Sequence, residues 1–133
     1  MAHYIDGFVI PLPKKDLTTN RRLAQKAGRV LKDHGALEFR ECDDLNMEMG
    51  LSFPCGIKTK PGETVLFSYI VFKSRAHRDR VNAKVTKDPR MLKMMKLPMP
   101  FDGKRMMYAD SRAWSKPDAL MRCARVAINI KRS

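Results

Sequence analysis

The chain has 133 residues, 44% of them hydrophobic, which predicts a single folded domain and excludes global disorder. The formal net charge is +13, and no apolar run approaches the ~20 residues that a membrane-spanning helix needs. The three cysteines, Cys42, Cys55 and Cys123, lack paired spacing and so predict neither a disulfide framework nor a zinc site.

The N-terminal residues reach Asp6 without a basic segment and a long apolar stretch, so no secretory signal is expected and a cytoplasmic location is. The first predicted strand runs from Tyr4 to Ile10 and stops at Pro11 and Pro13. Tyr4, Asp6, Phe8 and Ile10 share one face, and Ile5, Gly7 and Val9 the other. Asp6 interrupts an apolar face and needs a partner, a wet edge or a site. A helix follows from Leu17, with Asp16 as its cap. Leu23, Ala27, Val30, Leu31 and His34 form its apolar stripe, and Gly35 suits a left-handed end. Ala36 to Cys42 alternates as a second strand. Residues 43–62 are mostly loop, closing on the turn Pro61–Gly62.

Thr64 to Phe72 carries the clearest strand pattern: Val65, Phe67, Tyr69 and Val71 against Leu66, Ser68, Ile70 and Phe72. Both faces are apolar enough to need burial. Ser74 caps a second helix with His77 or Arg78, then Val81 and Val85, inward and Arg75, Arg80, Lys84 and Lys87 hydrated. Asp88–Pro89 interrupts it, Arg90 to Met95 adds a short helical piece, and Phe101–Asp102–Gly103 turns into a last strand, Lys104 to Ala109.

The order strand, helix, strand, strand, helix, strand predicts an α+β domain with a ferredoxin-like βαββαβ sheet covered by helices on one face. The uncovered face would be too apolar for water, so a partner subunit is expected to bury it and make a homodimer. Residues 1–109 form this domain, and residues 110–133 a divergent basic C-terminal tail with a helical pattern over Pro117 to Ile130.

The sequence contains no Gly-rich phosphate loop, no HExxH, no GxSxG and no Ca²⁺ loop, so no cofactor and no metal site are predicted. Asp6 and Tyr69 are pocket candidates because each is a polar group in an apolar strand. Glu38 and Glu41 fall on opposite faces of their strand, and a carboxylate beside a buried cavity would acquire a raised pKa. Six of the ten methionines lie between Met91 and Met107, as core filling or as an adaptable groove lining. Residues 1–66 carry a net charge of +1 and residues 67–133 of +12, a distribution that describes a basic protein. Arg75, Arg78, Arg80 and Lys84 are therefore candidates for nucleic-acid binding, near the rings of Phe67, Tyr69 and Phe101.

Four ordered blocks, Tyr4–Ile5–Asp6–Gly7–Phe8–Val9, His34–Gly35–Ala36–Leu37–Glu38, the segment Lys73 to Lys84, and Met99 to Met106, resemble the bacterial YbaA-like family of unknown function. The resemblance covers roughly residues 4 to 109 and implies a dimeric α/β barrel, in which two ferredoxin-like sheets pack face to face. It implies no established reaction. The matched blocks nominate Asp6, His34, Glu38, His77, Asn82, Asp102 and Arg105 as site residues. After Tyr108 the chain departs from the family pattern, with Ala109–Asp110–Ser111 and a different ending.

Three functional readings follow. The first is a homodimer that binds a small organic ligand in a pocket between sheet and helices. The second is a small monooxygenase-like barrel enzyme, an analogy from related folds. The third is an RNA-binding protein held by charge, whose affinity would fall steeply with salt.

Overall fold

The structure is a computed structural model that describes residues 3–43 and 52–113. β1 (Tyr4–Pro13) runs three residues further than the prolines predict. Beyond Val9 it no longer pairs with the last strand and keeps β3 as its sole neighbour. The missing N–H groups of Pro11 and Pro13 are tolerated on such a one-sided stretch. A single 3₁₀ turn, Lys14–Asp16, then leads into α1 (Leu17–Asp33). The helix begins where Asp16 marks it, although the Asp16 side chain makes no capping bond. It ends at His34, and Gly35 takes the left-handed conformation (φ 114°) that returns the chain towards the sheet.

β2 (Glu38–Cys42) is shorter than its alternating pattern, since Ala36 and Leu37 belong to the connection. A four-residue helix, α2 (Phe53–Gly56), sits in the stretch predicted as loop, with the Ser52 hydroxyl accepting from the Cys55 N–H. β3 (Glu63–Phe72) and α3 (Arg75–Val85) lie where expected, and the Ser74 hydroxyl accepts from the His77 N–H at 3.1 Å. Asp88 caps α4 (Pro89–Met95), and Pro89 occupies the first turn, where its lack of an N–H is harmless. The last strand is displaced. Lys104 and Arg105 belong to a 3₁₀ turn that Asp102 caps, so β4 is Met107–Arg112 rather than Lys104 to Ala109. The helical pattern over Pro117 to Ile130 lies outside the described residues.

The four strands form one antiparallel sheet in the order β2-β3-β1-β4. Register places Tyr108, Phe8, Ser68 and Glu41 in one row across it, and Asp110, Asp6, Ile70 and Phe39 in the next. These rows face the helices. Val30 and Leu31 of α1 and Val81 and Val85 of α3 pack there with Ile70 and Phe72 as the main core. A second cluster, Ile10, Leu12 and Leu66, is closed by Leu17, Phe101 and Met106.

The α+β class is that of the structure, but the expected closure into a dimeric α/β barrel is corrected. β2 and β4 are the two edges of a single open sheet, with β3 and β1 between them. Edges at opposite sides of a four-stranded sheet cannot pair with each other, so the described residues do not close a barrel. Among the described residues, no helix is long and apolar enough to cross a membrane.

Candidate functional site

The space between α1 and the chain from α4 to Met106 is a groove of about 560 Å³ on the helix side of the sheet. Helical spacing brings Leu23, Ala24 and Ala27 of α1 to one wall, with Asn20 at its foot, bonded to Glu41 of the floor. The far wall is Met91, Met94 and Met95 of α4, followed by Leu97, Met99, Phe101 and Met106. Phe8, Ile10, Phe39, Glu41 and Ser68 rise from the strands to make its floor. Met91 and Met106 also pack against the core, but core filling does not account for Met95 and Met99, which are 66% and 67% exposed. They form a flexible apolar rim with one side open.

Three polar groups interrupt this lining. Ser68 is 3% exposed and Asn20 5%, and Glu41 stands in the sheet row next to Ser68. The Asn20 Nδ2 donates to Glu41 Oε2 at 3.4 Å, a long bond. Burial pushes the Glu41 carboxyl above its ordinary range, and the Asn20 donor opposes that rise. A carboxyl held in this way can accept a hydrogen bond when ionised and donate one when protonated. The groove therefore suits a molecule with an apolar body and one polar end.

The residues nominated by sequence lie outside this groove and are not gathered into one site. Asp6 is 3% exposed and meets Arg78, whose Nη1 lies 3.4 Å from Asp6 Oδ1. The same guanidinium donates to Tyr108 Oη at 3.2 Å and to Asp110 Oδ2 at 3.1 Å, and lies over the Tyr4 ring. Its Nε sits 2.8 Å from the Asp79 carboxylate at an angle that makes an ion pair but no hydrogen bond. Burial raises Asp6, and the Arg78 charge partly offsets the rise. His34 Nε2 is 2.7 Å from Asp88 Oδ2, and Arg90 grips both Asp88 and Asp33. Arg105 holds both Glu63 oxygens, at 2.9 and 3.0 Å, and donates to the Lys58 carbonyl. Asp102, through its side chain, accepts from the Lys104 N–H. His77 Nδ1 accepts from the Lys73 N–H at 3.0 Å, and burial first, then Lys73, Arg80 and Lys84, lowers the ring's pKa. Asn82 is half-buried on α3, away from the groove.

Glu38 and Tyr69 do come together, on the opposite face of the sheet. The Tyr69 hydroxyl donates to Glu38 Oε1 at 3.4 Å beside the Arg40–Glu38 ion pair. They border an apolar depression of about 760 Å³ over Ile5, Gly7, Val9, Val71 and Met107.

The reading of the chain as a basic protein is also corrected. Three arginines of its charge-rich half, Arg78, Arg90 and Arg105, are paired with carboxylates of the same fold. Arg75, Arg80 and Lys84 remain exposed on α3, but Arg78, which would join them into one face, points into the fold. Sequence reasoning missed Asn20, Glu41 and Ser68 as a set. The available sign was a polar residue on the inward parity of each element: Asn20 four and seven places before Ala24 and Ala27, Glu41 two after Phe39, and Ser68 between Leu66 and Ile70.

Residues 3–103 match the family described as "Protein of unknown function (DUF1428)". The chain is 40% identical over 107 residues to the uncharacterized protein YbaA of Escherichia coli and of Shigella flexneri, covering 79% of this chain and 91% of each relative. Its fold is similar to that of a nipsnap family protein of unknown function from Agrobacterium tumefaciens. The TM-score is 0.54 and the identity 14%, over 85% of this chain and 91% of that one.

Proposed function

The chain belongs to the DUF1428 family of proteins of unknown function, and from that starting point we propose that it binds a small, mainly apolar organic molecule in the groove between sheet and helices. One observation carries this reading: an otherwise apolar groove has Asn20, Glu41 and Ser68 gathered on its floor. Buried polar groups are costly unless they are satisfied, and a ligand's polar end would complete what the 3.4 Å Asn20–Glu41 bond leaves weak. The methionine rim adapts its shape to the apolar part.

The test is a titration with 1-octanol, followed through the methyl signals of ¹³C-labelled methionine. Binding in this groove moves Met91, Met94, Met95, Met99 and Met106 and leaves Met107, on the other face of the sheet, in place. Glu41→Leu, which removes the polar floor, weakens octanol by roughly fivefold to tenfold, the worth of one hydrogen bond. If Met107 alone responds, or no methionine does, the groove is not the binding site.

A further inference from the structure

The groove does not end at Glu41. A second depression, of about 470 Å³, lies along the neighbouring face of α1 and shares Ala24, Phe39 and Glu41 with the first. Its character is opposite. Arg21, Gln25, Gly28, Arg29 and Lys32 recur at helical spacing along it, and Ala24 marks the boundary between the two faces. Arg21 is paired with Asp43, whereas Arg29 and Lys32 have no carboxylate partner among the described residues. Gly28 sets the junction. A Cβ there would stand 2.6 Å from Phe39 Cδ1, so glycine leaves room for the Phe39 ring, which lines both compartments.

Resting on the groove reading above, we propose that the ligand is a single-chain amphiphilic anion, with its apolar tail among the methionines and an oxyanion head, carboxylate or phosphate, on Arg29 and Lys32. The charge of the second compartment is complementary to such a head, and guanidinium and ammonium donors suit its oxygens. The two compartments meet at a shared wall, so one extended molecule spans both. The side chains of Gln25 and of Asn20 stand on either side of that wall as neutral donors.

Octanoate, octyl phosphate and 1-octanol share one tail and differ in the head. Titrated into the labelled protein, the two anions bind roughly fivefold to tenfold more tightly than the alcohol, as two partly screened cations allow. All three move the same groove methionines. In Arg29→Ala/Lys32→Ala the anions fall to the affinity of the alcohol, whereas Arg80→Ala/Lys84→Ala, with the same charge change on exposed α3, keeps the preference. Equal affinity for alcohol and anions, or an anion preference untouched by the α1 variant, overturns the amphiphile while leaving the groove reading intact. Silence of Met91, Met94, Met99 and Met106 towards all three overturns both. Co-sedimentation with phosphatidylglycerol vesicles in place of saturable octanoate binding would assign the cations to a bilayer and also overturn it.

Discussion

Single side chains decide whether the groove and the sheet hold their shape. At Gly28 two effects compete. Alanine favours the helix over glycine by about 0.5–1 kcal/mol, whereas forcing a methyl against a packed ring costs about 1–3 kcal/mol. The 2.6 Å approach to Phe39 puts Gly28→Ala in the second regime, with a net loss of roughly 1 kcal/mol in the unfolding free energy measured by urea denaturation and a shifted Phe39 ring. Arg78 is the partner that Asp6 needs. Its side chain is 12% exposed and that of Asp6 5%, so Arg78→Leu strands a buried carboxylate and costs about 3 kcal/mol at neutral pH. Burial already raises the folded pKa of Asp6, and loss of Arg78 raises it further. A carboxyl raised in the folded state contributes its stability at low pH and loses it as pH rises through the folded value. The Arg78→Leu deficit therefore shrinks on acidification, and denaturation at pH 4 and pH 7 checks the sign. That Asp6 needs a partner is legible in its apolar strand. Which residue supplies it is not, because Arg78 lies 72 positions away.

At the scale of elements, local chemistry reads well and shared ends read poorly. Ser74 and Gly35 mark their helix ends by side-chain and backbone preferences that act within a few residues. β4 was misplaced because Asp102 caps a 3₁₀ turn, and Arg105 is drawn away from the strand to Glu63 across 42 positions. α2 was missed because a four-residue helix has too little periodicity to register. Asp88 joins several elements. It caps α4, receives His34 from the end of α1 and is gripped by Arg90. Hydrogen bonds from Arg90 and His34 hold its carboxyl well below the usual carboxylate range. A lowered acid contributes stability above the unfolded pKa, near 4, and that stability is lost as pH falls through the folded value. Asp88→Asn therefore loosens α4 at neutral pH and flattens the acid side of the stability profile. Hydrogen exchange at Leu92, whose N–H bonds the Asp88 carbonyl, reads the first effect, and acid titration reads the second.

Over the whole molecule, composition and pattern established a small α+β domain with helices against one face of the sheet, since hydrophobic periodicity and turn chemistry are properties of neighbouring residues. Net charge was equally plain, yet its effect was not. A count of lysines and arginines does not show that Arg78, Arg90 and Arg105 are paired with carboxylates brought close by the fold. The barrel expectation failed for a related reason. Apolar residues on both faces of β3 call for cover on the second face but do not say what supplies it, and the described strands form an open sheet. The candidate site is the clearest division between the two levels. Asn20, Glu41 and Ser68 are each unremarkable in their own segments, and only the packing of α1 over β2 and β3 sets them on one floor. Local spacing and short matched blocks carried the family, the longer elements and their inward faces, though neither the short α2 nor the bounds of β4. The tertiary structure alone decided which polar groups meet, because hydrogen bonds and ion pairs act over a few ångströms in space and ignore distance along the chain.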